Sequence, residues 1–460
     1  MSGRFLYEPY FPQKPTADQA QFCEQFEAFF FGSNRLFVLK GYAGTGKTTS
    51  MKAVSHWLAQ MRVPVVLMAP TGRAAKVLAE NTGKRATTIH RTIYQASNGK
   101  DGNPVFKLKS HKFKKALFVV DEASMIGAGI TDFQGRDLLN DLFEFCFGDN
   151  NNCQLLFVGD TAQLPPVGSA FSPALNADFL KNRFFENCVQ MEMKEVVRQA
   201  LQSNILNNAT NLRNSLNAPG SPKLLAGKDL IRITDSNDAL EAVESAFQNN
   251  GEDAIYLVRS NKRANAINQT IRGRILYREN ELEMGDRLMV IKNNYFWLDK
   301  ELGGFIANGD MLEVLRLSEV LDRYSLRFAK AKLKLQLGAD TVDFEAYIHL
   351  NTLTLESPAF SQTQMQALFN SVLEDYNHLN RNARLKAIKE DPFFQALQVK
   401  FAYAVTCHKA QGGQWKHVFV ERPWLPNSNW TEEDRRWLYT AFTRATKNLY
   451  LLGFENSLFE

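Results

Sequence analysis

Short apolar runs alternate with amphipathic segments through the first 200 residues of the chain. Buried strands are predicted at four of these runs, namely residues 35–40, 63–69, 116–120 and 154–158. Apolar residues at helical spacing follow the first two runs, up to Met61 and over residues 74–80. Buried strands separated by helices are typical of a parallel sheet with helices on both faces. The pattern therefore predicts an α/β domain, with ligands at the carboxyl ends of its strands.

An insertion with turn chemistry interrupts this alternation between residues 96 and 112. It contains Asn98-Gly99 and Asp101-Gly102-Asn103, which are residues of tight hairpin turns. A cluster of lysines accompanies it: Lys107, Lys109, Lys112, Lys114 and Lys115. We predict a β-hairpin over residues 97–113, although a lysine cluster taken alone also fits a solvated loop.

The alternation resumes after residue 250 and is divided by a longer insert. Further α/β elements are predicted as strands at 254–258, 401–405, 418–420 and 449–452 and as helices at 261–276 and 432–443. The insert shows period-two strands at 287–291, 311–315, 325–335 and 344–355. Such a series suggests a small barrel. Residues 363–391 lack Pro and Gly and predict one or two polar helices packed on that barrel.

The composition excludes several classes of protein. The 460 residues are 45% apolar and 22% charged, which is usual for a globular chain, and the net charge of +5 is a mild excess. No apolar run approaches the roughly 18 residues that span a bilayer, and the first residues do not form a secretory signal. Five cysteines without any C-x-x-C pair argue against a structural zinc site and a disulfide framework. We therefore expect a multidomain cytoplasmic protein that does not associate with membranes.

Residues 41–48 read G-Y-A-G-T-G-K-T and match the phosphate-binding pattern G-x-x-x-x-G-K-[S/T]. Its glycines let backbone N–H groups turn toward phosphates, and the following helix N-terminus favours negative charge. The match falls between a predicted strand and a predicted helix, as this mechanism requires. The sequence thus predicts a nucleotide site, whose residues are Gly41, Ala43, Gly44, Thr45, Gly46, Lys47, Thr48 and Thr49. Lys47 is expected to reach the β- and γ-phosphates and Thr48 to bind Mg²⁺.

Asp121 and Glu122 directly follow the predicted strand at 116–120. Asp121 is placed to hold Mg²⁺ through water, and Glu122 to orient or deprotonate an attacking water. An acidic pair after a strand is a weak signal alone, but it becomes strong beside an upstream phosphate loop. Two carboxylates favour hydrolysis over phosphoryl transfer to a bound alcohol.

Seven ordered motifs connect these features to a known family: G-Y-A-G-T-G-K-T, A-P-T-G-R-A-A-K, T-I-H, D-E-A-S-M, G-D-T-A-Q-L-P-P-V-G, T-C-H-K-A-Q-G and Y-T-A-F-T-R-A. Together they resemble the superfamily 1 helicases, and more narrowly the 5′→3′ branch, superfamily 1B, of RecD-like, Dda-type and Pif1-related enzymes. The resemblance covers nearly the whole chain. It implies two RecA-like parallel-sheet motor domains with ATP and Mg²⁺ in the cleft between them. It also implies a β-hairpin insert in the first domain and an SH3-like β-barrel with a helical extension in the second.

The resemblance, combined with the patterns above, sets the expected domain limits. The first motor domain, which binds ATP, is expected over residues 1–96 and 114–200, with the hairpin pin at 97–113. The second is expected over residues 201–284 and 399–460, with the barrel and its helices at 285–398.

The resemblance also implies roles around the nucleotide. Gln19 matches a glutamine that reads adenine, although it also fits an ordinary polar residue at a helix start. Asp160 and Gln163 match the motif that senses the γ-phosphate. Arg198 and Arg444 match two arginines that neutralise the transferred phosphate, whereas either alone would resemble a surface ion pair. The loop that contacts nucleotide from the second domain is matched by Gln411 and Gly412. The following Gly413-Gln414 differs from the Ser-Glu pair that RecD-like members often carry.

The family's motifs that contact the DNA strand match six residues of this chain: Thr71, Thr88, His90, Thr406, His408 and Lys409. Hydroxyl, imidazole and ammonium groups suit contacts to phosphate and sugar, which hold any sequence. His90 also fits a hydrogen-bonded residue at a helix start. Phe106, on the second arm of the hairpin, is expected to stack on a base at the fork, with packing against the first domain as the alternative.

The resemblance implies an ATP-dependent DNA helicase that moves 5′→3′ on single strands and unwinds duplex. Its expected partners are single-stranded and forked DNA, with single-strand-binding, repair or replication proteins as further candidates, and it is expected to be a monomer. Two alternatives stay open. One is a translocase on RNA or of opposite polarity, and the other is a nucleotide-gated DNA-binding subunit of a larger repair complex.

Overall fold

The computed structural model describes residues 8–98, 104–129, 136–148, 152–184, 187–197, 203–299, 305–337, 340–425 and 430–460. Within these residues the strands form three larger sheets and one two-stranded hairpin. No helix in these ranges is both long and apolar enough to cross a membrane.

The first domain contains a six-stranded sheet whose strands all run parallel. Its elements in chain order are α1 (Ala17–Phe31), β1 (Leu36–Gly41), α2 (Lys47–Gln60), β2 (Val65–Ala69), α3 (Gly72–Thr82), β3 (Ala86–Thr88), α4 (Ile89–Ile93), β4 (Tyr94–Asn98), β5 (Pro104–Leu108), β6 (Leu117–Val120), α5 (Leu138–Phe147), β7 (Gln154–Gly159), α6 (Ala177–Phe184) and β8 (Cys188–Met193). The strand order of the sheet is β3-β2-β6-β7-β1-β8.

Successive residues of a strand point to opposite faces of the sheet. Both faces of this sheet are apolar, and helices cover each of them. On β1, Phe37 and Leu39 pack into one apolar cluster, whereas Leu36 and Val38 pack into another. All four side chains are fully buried. The parallel α/β prediction for this domain is confirmed.

The predicted hairpin is formed by β4 and β5, which pair antiparallel. It begins at Tyr94, a few residues before the predicted limit, and its second strand ends at Leu108. Phe106 lies on β5 opposite Ala96. The side chain of Phe106 and the turn residues 99–103 lie outside the described part of the chain.

The second half of the chain has an interrupted parallel sheet. Its elements are α7 (Asn204–Asn214), β9 (Leu230–Ile233), α8 (Ser236–Asn250), β10 (Ala254–Val258), α9 (Asn261–Thr270), β11 (Arg287–Val290), β12 (Met311–Arg323), β13 (Leu326–Leu337), β14 (Asp340–His349), α10 (Gln362–Asp375), α11 (Arg381–Glu390), β15 (Val399–Phe401), β16 (Ala404–Thr406), α12 (Cys407–Ala410), β17 (Trp415–Glu421), α13 (Glu432–Phe442) and β18 (Ala445–Leu452). The second domain is the parallel sheet β16-β10-β17-β18-β9, and strands β11–β15 form the insert within it.

The insert is an antiparallel sheet in the order β14-β13-β12-β11-β15, and its two edges meet. The backbone N–H of His349 donates to the Leu397 carbonyl at 2.9 Å, and the N–H of Leu397 donates to the Tyr347 carbonyl at 2.7 Å. These bonds join β14 to the residues just before β15, so the sheet closes into a small barrel. Helices α10 and α11 pack on the barrel through an apolar cluster that includes Phe328 and Leu368. The SH3-like classification of the barrel stays a prediction.

The single strand predicted at residues 401–405 is wrong. Residues 399–401 form β15 of the barrel, and residues 404–406 form β16 of the second domain. Asn268 holds the crossing between them, since its amide donates to the carbonyls of Phe401 and Ala404 at 3.2 and 2.9 Å. An apolar run cannot reveal such a change of sheet, because both halves are buried. The barrel therefore extends beyond the expected limit at residue 398.

Candidate nucleotide site and domain cleft

The glycine-rich loop follows β1 and leads into α2, as its motif requires. Lys47 Nζ donates to the carbonyls of Gly41 and Tyr42 at 2.8 and 3.0 Å, so the ammonium group lies inside the loop. Gly46 has φ +80°, and a Cβ placed there would lie 2.2 Å from Gln19 Nε2. The left-handed backbone conformation favours glycine at this position, and the Gln19 amide leaves little room for a side chain there. The loop has the backbone form and the cation that fit a nucleotide phosphate.

Gln19 closes a capping box at the start of α1. Its side-chain oxygen accepts the N–H of Thr16 at 3.0 Å, and Thr16 Oγ1 accepts the N–H of Gln19 at 3.2 Å. The helix-start role considered for Gln19 is therefore present, and its amide nitrogen lies beside Gly46 of the loop. Adenine reading by this amide stays a prediction.

Two carboxylates follow β6, at the end of the sheet where the strands have their carboxyl termini. Burial and the neighbouring charge of Glu122 raise the pKa of Asp121 to about 6, whereas Lys47 acts in the opposite direction. Asp121 is therefore close enough to the phosphate loop for the charge of Lys47 to act on it. Glu122 has φ +51°, a left-handed conformation that costs a non-glycine residue about 1–2 kcal/mol. Thr48 and Asp121 offer hydroxyl and carboxylate oxygens, which are the ligand type that Mg²⁺ prefers.

Arg444 brings a cation from the second domain to this site. Its Nη1 lies 3.9 Å from Glu122 Oε1, and the side chain is 4% exposed. The guanidinium is held by hydrogen bonds to its own domain: Nε to the Thr440 carbonyl at 3.0 Å and Nη1 to the Gly413 carbonyl at 3.2 Å. A fixed guanidinium beside a carboxylate can stabilise charge that develops on a phosphate between them.

The loop after β7 is held from both sides of the cleft. Asp160 Oδ1 accepts the N–H of Ala162 at 2.9 Å, and Asp160 Oδ2 accepts the Tyr439 hydroxyl at 2.5 Å. Tyr439 also accepts the N–H of Ala43 at 3.0 Å. One buried side chain of α13 thus touches the phosphate loop and the Asp160 loop together.

Side chains of the second domain form hydrogen bonds with both backbone polar groups of Leu164. Its N–H donates to Thr440 Oγ1 at 2.9 Å, and its carbonyl accepts Gln411 Nε2 at 2.7 Å. Gln163, one residue earlier, is 4% exposed, and its Oε1 has no hydrogen-bond partner among the described residues. A buried amide oxygen without a partner fits a ligand or water at the site. Gln411 thus contacts the first domain; a nucleotide contact by Gln411 and Gly412 stays a prediction.

The three threonines that are predicted to contact the nucleic-acid strand each precede a helix. Thr71 Oγ1 caps α3 by accepting the N–H of Ala74 at 3.2 Å, and Thr88 Oγ1 caps α4 by accepting the N–H of Arg91 at 3.3 Å. Thr406 precedes α12, which carries His408 and Lys409. His90 lies on α4, with its ring 5.6 Å from that of Tyr94.

Thr71 and Lys409 come from different domains but line one small cavity of about 20 Å³, together with Met289 and Met311 of the insert. Burial lowers the pKa of Lys409 and that of His408. The structure therefore brings the strand motifs of both domains together beside the barrel. Of the predicted site residues, Arg198 lies outside the described ranges.

Comparisons with known proteins agree with this geometry. Residues 16–236 match a family model described as an AAA domain, and residues 401–452 match the UvrD-like helicase C-terminal domain. The ATP-dependent RecD2 DNA helicase of Deinococcus radiodurans is 25% identical over 449 residues, which cover 95% of this chain and 49% of that protein. The ATP-dependent DNA helicase dda of Enterobacteria phage T4 is 23% identical over 439 residues, or 90% of this chain and 93% of that protein. The chain is similar over nearly its whole length to helicases of the RecD-like and Dda type, which belong to superfamily 1B.

The fold of the chain is shared with a solved helicase structure. A Bacteroides Pif1 helicase in complex with ADP-AlF3 and single-stranded DNA superposes with a TM-score of 0.51 at 18% identity, covering 97% of this chain and 94% of that one. The chain spans about half the length of its Deinococcus relative.

Two residues that join the two domains could not be identified from the sequence, namely Tyr439 and Arg436. Tyr439 lies within the Y-T-A-F-T-R-A motif, so its position was visible, but its contacts depend on a helix from the other domain. Arg436 lies one turn earlier on α13 and donates to the carbonyls of Thr161 and Gln163, the latter at 3.3 Å. No pattern along the chain distinguishes Arg436 from a solvated helix residue.

Proposed function

We propose that the protein is a superfamily 1B helicase that hydrolyses ATP with Mg²⁺ to move 5′→3′ along single-stranded DNA and to unwind the duplex ahead. The observation that carries the proposal is the 3.9 Å approach of Arg444, from the second domain, to Glu122 of the first. This approach makes a complete hydrolysis site depend on closure of the cleft. A motor that steps along a strand needs that dependence.

The chain's own residues divide the work at this site. Bound ATP would supply the phosphoanhydride bond that water cleaves, and bound Mg²⁺ would neutralise charge on its phosphate oxygens. Lys47 and the loop amides hold phosphate oxygens, and Thr48 and Asp121 hold the metal. Glu122 orients water and accepts its proton, while Arg444 stabilises the charge that develops on the phosphate. Gln163 and Arg198 are proposed to contact the γ-phosphate, and Gln19, Gln411 and Gly412 to contact the rest of the nucleotide.

The nucleic-acid side is proposed to run over the helix starts near Thr71, Thr88 and Thr406. Their hydroxyls, with His90, His408 and Lys409, offer contacts to phosphate and sugar rather than to base edges, which suits binding without sequence preference. Forked DNA is the proposed duplex substrate, with Phe106 of the hairpin at the fork. We also propose that the protein works as a monomer in the cytoplasm, where single-strand-binding or repair proteins are candidate partners.

Hydrolysis should be slow without DNA and rise strongly with it, because a strand bound across both domains favours the closed cleft. The test is steady-state ATP hydrolysis without nucleic acid, with oligo-deoxythymidine and with oligo-uridine. Replacing Arg444→Ala should reduce stimulated turnover by about 10³-fold or more. Arg422→Ala, which removes a partly exposed ion pair to Glu455 in the same domain, serves as the matched control. Equal turnover with and without any nucleic acid would contradict the proposal.

A further inference from the structure

A buried ion pair joins the barrel to the first domain. Arg91 Nη2 lies 2.8 Å from Asp310 Oδ2, with side chains 10% and 0% exposed. The same nitrogen donates to the Phe305 carbonyl at 3.1 Å, and Asp310 Oδ2 also accepts the N–H of Ala307 at 2.8 Å. Because a buried charge is costly unless it is paired, this contact depends strongly on both partners.

Asp310 contacts two segments of the first domain that are proposed to bind single-stranded DNA. Arg91 directly follows His90 in the T-I-H-R sequence and is held in the same turn by Thr88 Oγ1. On its other side, Asp310 Oδ1 lies 2.5 Å from the place where a Cβ of Gly72 would stand, next to Thr71. One carboxylate of the barrel therefore rests on both segments whose threonines are proposed to hold the strand.

The barrel and the second domain share one packed core. A single apolar core includes Val258 and Phe419 of the parallel sheet together with Val290 and Ala331 of the barrel. Asp286, fully buried before β11, accepts Arg272 Nη2 at 2.8 Å and Arg278 Nη1 at 2.6 Å. A shared core and a buried ionic network resist movement between the barrel and this domain.

Asp310 thus lies on a rigid body that moves with the second domain, yet its partner Arg91 belongs to the first. Arg444 approaches Glu122 across the same division, on the nucleotide side. Opening of the cleft would separate both contacts. Closure would re-form them and press Asp310 onto the Thr71 and Thr88 segments.

We propose that Asp310 is a positioning residue that transmits closure of the nucleotide cleft to the strand-binding segments of the first domain through Arg91. Asp310 contacts neither the nucleotide nor the DNA. It determines how strongly the affinity for single-stranded DNA depends on bound nucleotide. This role rests on the proposed function. Tyr295 of the barrel adds an apolar contact to the first-domain core, which does not depend on charge.

The test measures the dissociation constant for fluorescein-labelled oligo-deoxythymidine by anisotropy, without nucleotide and with Mg²⁺ and a non-hydrolysable ATP analogue. Asp310→Asn should leave the nucleotide-free constant within about twofold of the parent. It should reduce the ratio of the two constants at least fivefold, toward one. Arg316→Gln, which removes an exposed barrel ion pair to Glu345, is the matched control and should keep the parental ratio.

Arg91→Gln is the second variant. Asp310→Asn leaves a guanidinium that cannot lose its proton, whereas Arg91→Gln leaves a carboxyl group that can take one up. Burial already raises the pKa of Asp310, so Arg91→Gln should fold even if Asp310→Asn does not. Circular dichroism and thermal unfolding establish folding for each protein. Arg91→Gln is expected to lose the nucleotide dependence in the same way.

A parental ratio in folded Arg91→Gln would overturn the role of the pair. So would a parent that binds the strand equally with and without the analogue, although DNA-stimulated hydrolysis would then leave the proposed function standing. Failure of the parent to hydrolyse ATP with DNA would instead contradict the proposed function itself. Loss of the ratio in both variants, with stimulated hydrolysis retained by the parent, supports the inference.

Discussion

The Tyr439 hydroxyl lies 2.5 Å from Asp160 Oδ2, and this hydrogen bond crosses the cleft between the two domains. The hydroxyl oxygen of Tyr439 also accepts the N–H of Ala43 from the phosphate loop. Burial raises the pKa of Tyr439 well above its ordinary value, and the charge of Asp160 adds to this effect. The group therefore stays protonated and acts as a donor to Asp160 at any working pH.

Replacing Tyr439→Phe should lower DNA-stimulated ATP turnover about 10-fold. A buried hydrogen bond contributes about 1–1.5 kcal/mol, and its loss frees the Asp160 loop and the phosphate loop from a common support. The measurement is kcat against KM for ATP at saturating DNA, where kcat should fall and KM change little. Tyr256→Phe alters a buried tyrosine of the same domain and should match the parent. Unchanged kcat in Tyr439→Phe would remove this contact from the coupling of the domains.

Replacing Glu122→Gln should keep ATP bound but slow its hydrolysis by roughly 10²–10⁴-fold, the range for a lost general base. Lys47→Ala should weaken phosphate binding as well. Binding of a fluorescent ATP analogue and single-turnover hydrolysis separate the two effects. Hydrolysis at the parental rate in Glu122→Gln would show that another group activates the water.

Replacing Phe106→Ala should impair unwinding while DNA-stimulated hydrolysis stays near the parental rate. Stacking of one base on an aromatic ring contributes about 1–3 kcal/mol, which is comparable to the cost of opening one base-pair step. The assay compares strand separation on a forked duplex with ATP turnover on single strands. Loss of both activities would indicate a folding contact, and loss of neither would exclude Phe106 from the fork.

His349 should make the fold sensitive to mild acid. The side chain is fully buried between Phe328 and Phe360, and burial, together with the charge of Lys292, lowers its pKa from 6.5 to about 3. In the unfolded chain the ring takes up a proton near its ordinary pKa. Stability from this group is therefore present above about pH 6.5 and falls by about 1.4 kcal/mol per unit as the pH decreases toward 3.

His349→Phe should reduce the loss of thermal stability between pH 7 and pH 5, as measured by the unfolding midpoint at each pH. His378→Phe changes an exposed histidine of the helical extension and should keep the parental slope. An equal slope in all three proteins would show that His349 does not govern the acid response.

The sequence predicted the parts of the nucleotide site that are local. The residues of the glycine-rich loop, together with Asp121 and Glu122, follow strands, and the carboxyl ends of parallel strands meet at one edge whatever the details of packing. Arg444 was found only through the resemblance. Its approach to Glu122 depends on how α13 lies against the first domain, which no periodicity encodes.

Other features depend on contacts between distant segments and could not be predicted. Arg91 and Asp310 are separated by 219 positions, and each alone resembles a surface charge. The change from β15 to β16 occurs within one apolar run, so the pattern indicated a single strand. For Gln19, the helix start was predicted as the alternative to a nucleotide contact, and the structure adds its capping box with Thr16.

The most direct test of 5′→3′ movement on DNA is unwinding of DNA duplexes that carry only a 5′ or only a 3′ single-stranded overhang, with matching RNA duplexes in parallel. Strand separation is followed by fluorescence in the presence of ATP and Mg²⁺, with Lys47→Ala as the inactive control. Movement 5′→3′ on DNA predicts ATP-dependent separation of the DNA duplex with the 5′ overhang and little separation of the duplex with the 3′ overhang. Preferential unwinding from the 3′ overhang, or of RNA alone, would contradict it.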